Sequence, residues 1–89
     1  MDWLDQLAAT FGLEPPVSEE TVHVLNVARD VAHRVERRIT PLATLLMGMS
    51  IERRMAAGAT RPDAVAGAIE DLRSVLPPAS EEDHPTGRG

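Results

Sequence analysis

The chain has 89 residues, no cysteine and a formal net charge of −5, a length that fits one domain burying only about 60 to 65% of its unfolded surface. Without cysteine there is no disulfide, zinc–thiolate site, iron–sulfur cluster or thiol nucleophile, and an acidic whole has the wrong sign for general binding to nucleic-acid phosphates. Only Trp3 and Phe11 are aromatic, so an aliphatic helical core is expected rather than a β-sandwich; with no basic leader and no long apolar run, a cytoplasmic protein without membrane contact is expected.

The spacing predicts a first helix from Asp2, as N-cap, to about Phe11, with Trp3, Leu4, Leu7, Ala8 and Phe11 on one face and Gly12 as its stop. Pro15 and Pro16 then force an extended turn. Ser18 reads as the next N-cap, with Glu19 and Glu20 complementing the helix dipole, and Thr21, Leu25, Ala28, Val31, Ala32 and Val35 form one stripe to about Arg38. Thr40-Pro41 opens a third helix that stops at Gly58. Leu42, Leu45, Leu46, Met49, Met55 and Ala56 are its expected buried face, and Gly48 is expected at a close helix crossing. Thr60 and Asp63, with Pro62 in the first turn, open a fourth helix carrying Val65, Ala66, Ile69, Leu72, Val75 and Leu76 at helical spacing until Pro77-Pro78 ends it. Residues 79–89 are polar and acidic, and a disordered tail is expected there. The fold class is therefore all-α: a compact bundle over residues 1–78 of one short N-terminal helix plus three longer ones, with Trp3, Leu7 and Phe11 closing its open end.

One stretch concentrates charge. Residues 29–38, RDVAHRVERR, hold four arginines, two acids and a histidine. On a continuous helix Arg29, His33 and Arg37 or Glu36 form a rail beside the apolar stripe, and Asp30 reaches Arg34 at i,i+4. Such a rail is either a solvated helix face or a site. In the second case Arg37 and Arg38 stand beside the free N–H groups of the Thr40 helix start, an arrangement able to hold phosphate or carboxylate. His23, His33 and His84 do not share metal-ligand spacing, and no serine has a base pattern that would make it a nucleophile. Residues 47–51 are apolar around most of the helix circumference, which places that segment either centrally or against another protein.

WLDQLAATFGL at residues 3–13, VARDVAHRVERRITPLATLLMG at 27–48 and the alanine-rich closing helix together resemble a small uncharacterised bacterial helical domain. That domain is found alone or fused to nucleotidyltransferases of the molybdenum-cofactor guanylyltransferase type. Ala28, Asp30, Ala32, His33, Val35, Glu36, Arg37, Thr40, Pro41, Leu42 and Gly48 carry the central match. The resemblance implies no catalytic residue and no cofactor. It implies a non-enzymatic accessory module that docks a nucleotidyltransferase or a molybdoenzyme. The expected partner-binding residues are Arg29, His33, Glu36, Arg37, Met47 and Ile51. Two alternatives stay open: a small anion-binding protein using Arg37, Arg38 and Thr40, and a homo-oligomer formed through an exposed apolar part of the third helix.

Overall fold

In a computed structural model, which describes residues 2–79, the chain forms α1 (Trp3–Thr10), α2 (Ser18–Arg34), a single 3-10 turn (Arg37–Ile39), α3 (Thr40–Ala56) and α4 (Arg61–Ser74), with no strand among the described residues. The tail expectation, and His84 with it, concerns residues outside those described apart from Ala79. Local chemistry sets most boundaries. The Asp2 carboxylate accepts the Asp5 N–H at 2.9 Å and the Thr60 hydroxyl accepts the Asp63 N–H at 3.2 Å, so α1 and α4 have the side-chain caps expected of them. Gly12 (φ +69°) and Gly58 (φ +112°) follow α1 and α3 in conformations that only glycine adopts without strain.

Two expected caps are corrected. Ser18 is the first helical residue rather than the cap of α2, because Val17 holds that place and its carbonyl accepts the Thr21 N–H. Thr40 is likewise already helical, and the N-cap of α3 is Ile39. The second helix also ends earlier than Arg38. Val35 leaves it, Glu36 is extended, and Arg37–Ile39 turn directly into α3. The inward positions of α2 recur at Val24, Val27 and Val31; one more turn would aim Arg38 into the apolar interior without a partner, a costly placement for a charge.

The interior is small and is built by α2, α3 and α4. Val27, Met47 and Ala68 form its centre, with Val24, Ile51, Ile69 and Leu72 packed against it. Ala64 and Ala68 are buried, and their small side chains let α4 lie close to its neighbours. This arrangement turns two helices from their expected orientation. On α2 the buried line is Val24, Val27 and Val31, whereas Leu25 and Val35 face out. On α3 Met47 is buried, with Thr44, Ile51 and Arg54 partly so, and the expected buried set of Leu42, Leu45, Leu46 and Met49 lies on the opposite side. Ala66 on α4 and Val75, the C-cap just beyond it, are exposed. Gly48 marks no helix crossing, since a Cβ there would have nothing within 4 Å.

Nor does α1 close the bundle. Trp3 and Phe11 are 68% and 65% exposed, Ala8 is the buried residue of that helix, and α1 makes no more than marginal contact with another helix. The extended segment 13–17 with its two prolines carries α1 off instead of folding it back.

Ionic cross-links between helices fix α4 to the other two. Arg61 forks onto both Glu20 carboxylate oxygens at 2.8 and 2.7 Å and donates to the Glu14 carbonyl at 2.8 Å; the hydrogen bond to Glu20 raises the pKa of Arg61 against the opposing effect of burial. Arg54 of α3 pairs with Asp71 and reaches Ser50 Oγ at 3.3 Å. Gly67 makes the room: a Cβ there would collide with the Arg54 guanidinium. Arg73 donates to Asp30 at 2.5 Å, so Asp30 is tied to α4 rather than to Arg34.

The Arg73 hydrogen bond, aided by the charges of Arg73, Arg34 and Arg29, holds the Asp30 carboxyl below its usual range against the desolvation that opposes it. A depressed carboxyl stabilises the fold above the unfolded pKa, about 3.9, and that contribution is lost as pH falls through the lower folded value. Urea unfolding should therefore show wild type more stable than Asp30→Asn at neutral pH, with the gap narrowing below about pH 4. A gap independent of pH down to the acid transition would contradict the ion pair.

Candidate docking surface

With Met47, Ile51 and Arg54 turned inward, the outer side of α3 presents Leu42, Leu45, Leu46 and Met49, at 56 to 65% exposure. The spacing of three, one and three residues puts all four on one helical face, diametrically across from the interior. Isolated exposed leucines are ordinary, whereas these four form one contiguous apolar stripe. Ile39, in the turn before α3, extends the stripe towards the chain's N-terminal side. Charge brackets it. Arg37 and Arg38 precede the stripe and Arg53 follows it; all three are exposed, and none makes an ion pair among the described residues.

The expected site residues divide between surface and interior. Arg29 is exposed and bonds Asn26 within its own helix at 3.2 Å. His33, Glu36 and Arg37 are exposed, but the break at Val35 and Glu36 cuts the rail, so Arg37 does not stand one helical turn beyond His33. Met47 is buried and Ile51, partly buried, packs on the same central cluster, so both serve the interior, and both also line the cleft between α2 and α3.

At the expected anion pocket of Arg37, Arg38 and Thr40, part of the backbone donor set is already used. The Ile39 N–H bonds the Glu36 carbonyl, the Thr40 N–H bonds the Arg37 carbonyl, and Pro41 has no N–H. The Thr40 hydroxyl is enclosed without a hydrogen-bond partner and so does not point at an incoming phosphate. The two arginines are accessible, and of the N–H groups at the helix start those of Ile39 and Thr40 are taken up by the preceding turn.

Two clefts open between the helices. One of about 490 Å³ lies between α2 and α4, with Val65, Ala66 and Ile69 as floor and Glu19, Glu70 and His23 at its edges. The other, about 430 Å³, opens between α2 and α3 beside Leu13. His23 stands 3.9 Å from Glu19 on the same helix. No group of three histidines, cysteines or acids among the described residues could hold a metal ion, and no helix there is long and apolar enough to cross a membrane.

A family model described as "Domain of unknown function (DUF6457)" matches residues 1–84. The chain belongs to the DUF6457 family. No curated protein and no solved structure matches it. The match spans nearly the whole chain, so α1, the three-helix centre and the outer face of α3 all belong to one DUF6457 unit. Helical periodicity alone predicts Leu42, Leu45, Leu46 and Met49 on the inside. The available signal was the surplus: α3 carries apolar side chains around almost its full circumference, while one neighbouring layer needs only one face.

Proposed function

We propose that this domain is a non-enzymatic accessory module that works by docking a protein partner against the outer face of α3. The carrying observation is the stripe of Leu42, Leu45, Leu46 and Met49, exposed on a helix whose other side already serves the interior. A partner that covered the stripe would remove on the order of 25 cal/mol of unfavourable hydration per Å² of apolar surface buried. The resemblance of residues 3–13 and 27–48 to bacterial domains fused to molybdenum-cofactor guanylyltransferases supplies the partner class: a cytoplasmic nucleotidyltransferase of that type, the module assisting cofactor nucleotidylation or delivery.

The test is direct binding of purified protein to the molybdenum-cofactor guanylyltransferase of the same cell, measured by titration calorimetry with wild type and Leu45→Gln/Met49→Gln. Wild type should bind and the double variant should lose at least about tenfold in affinity, with its circular dichroism unchanged. Absence of binding by wild type overturns the assignment of partner; equal binding by both proteins overturns the assignment of face.

A further inference from the structure

Resting on the docking reading above, the geometry points to a specific occupant for the α3 face: we infer that it takes an amphipathic helix whose apolar stripe is bracketed by acidic residues, and not a second copy of this chain. The stripe has the i, i+3, i+4, i+7 form that a facing helix matches with its own apolar stripe. From Arg38 to Arg53 the face runs about 22 Å, the length of a partner helix of roughly 15 residues.

Charge chooses between partners. The exposed cations stand at the ends, Arg37 and Arg38 before the stripe and Arg53 after it, while the remaining α3 arginine, Arg54, is turned inward onto Asp71. One exposed acid stands beside the cations at each end, Glu36 before Arg37 and Glu52 before Arg53, so the surplus of positive charge lies at the Arg37–Arg38 end. A second copy packed antiparallel across the middle of the stripe sets Leu42 against Met49 and Leu45 against Leu46, and in the same register sets Arg38 against Arg53 on both sides. A parallel copy sets each arginine against its own counterpart. Both two-fold arrangements bring like charges together at both ends of an apolar contact, where removal of water strengthens the repulsion. A helix with glutamate or aspartate at its two ends reverses the sign of every one of those pairs, and the arginine forks favour carboxylates in particular.

Two synthetic helical peptides of about 15 residues test this, alike in a leucine stripe and differing only in glutamate or lysine at the brackets. Fluorescence anisotropy would follow each against wild type, Arg38→Glu/Arg53→Glu and Leu45→Gln/Met49→Gln, with sedimentation velocity on wild type alone. Wild type should sediment as a monomer and bind the glutamate peptide at least about tenfold tighter than the lysine peptide, the preference shrinking as salt rises. The charge-reversed variant should prefer the lysine peptide, and the glutamine variant should bind neither. Equal affinity of wild type for the two peptides overturns the acidic bracket while leaving the docking face standing. Failure of both peptides to bind, or binding untouched by the glutamine substitutions, overturns the face itself. A wild-type dimer dissolved by the glutamine substitutions overturns the choice against a second copy.

Discussion

Val27→Asp is expected to abolish the folded state, and Leu45→Asp to leave it intact. Val27 is 0% exposed and touches Met47 and Ala68 at the meeting point of α2, α3 and α4. A carboxylate there has no cation or donor to meet it, and an unpaired buried charge costs several kcal/mol even after relaxation. A domain of this size holds a total stability of only about 5 to 10 kcal/mol, so the substitution consumes most or all of it. The milder Met47→Ala, which leaves a cavity in the same cluster, should cost about 2 to 5 kcal/mol. Leu45 is an equally apolar residue two positions away, but its side chain is mostly in water, and surface exchanges of that kind shift stability by about 0.5 kcal/mol or less. Circular dichroism with urea titration of the three variants decides the matter. Unfolding by Leu45→Asp together with tolerance of Val27→Asp would reverse the assignment of the two α3 faces and remove the docking stripe.

That contrast also locates where the chain's own pattern stops being sufficient. Asp2, Thr60, Gly12 and Gly58 act within one or two turns of backbone, so helix starts and stops were legible at those points from residue type alone. The all-α class followed from the same local signals. Orientation did not. Periodicity names an apolar stripe but not which of two stripes meets the neighbour, and α3 has two. On α2 the stripe through Leu25, Ala28 and Ala32 competes with the line through Val24, Val27 and Val31, and tertiary contacts select the second. Glu20 and Asp30 lie on that same side of α2 and reach Arg61 and Arg73 of α4, partners 41 and 43 residues away that no local rule connects. The charged segment 29–38 misled for a related reason: read as continuous helix it forms a rail, but burying Arg38 is costlier than ending the helix, and the rail breaks at Val35. Residues 47–51 are apolar around most of the helix, but Met47 and Ile51 serve the interior, and the exposed apolar side chains of α3 sit half a turn away.

Arg61→Met is expected to destabilise the domain by about 1 to 3 kcal/mol, more than an ordinary surface ion pair and less than a fully buried one. The Arg61 side chain is 33% exposed and that of Glu20 only 14%, so removal of the guanidinium strands a largely covered carboxylate and withdraws the donor from the Glu14 carbonyl. Arg61→Lys should recover only part of the loss, because an ammonium cannot reproduce the two parallel bonds of the fork. Glu20→Gln/Arg61→Met should cost clearly less than the sum of its single variants, since the second change removes the stranded charge that made the first expensive. The effect should not stop at α4. Arg61 is also what joins the start of that helix to the segment before α2, from which α1 projects, so amide hydrogen exchange in residues 2–17 should accelerate in Arg61→Met while the centre of α2 stays protected. Strict additivity in the cycle, with exchange in residues 2–17 unchanged, would mean that α1 and its connection are held by contacts independent of the Arg61 fork; coupling in both measurements would make this one arginine the tie between the helical centre and the aromatic arm that Trp3 and Phe11 leave exposed.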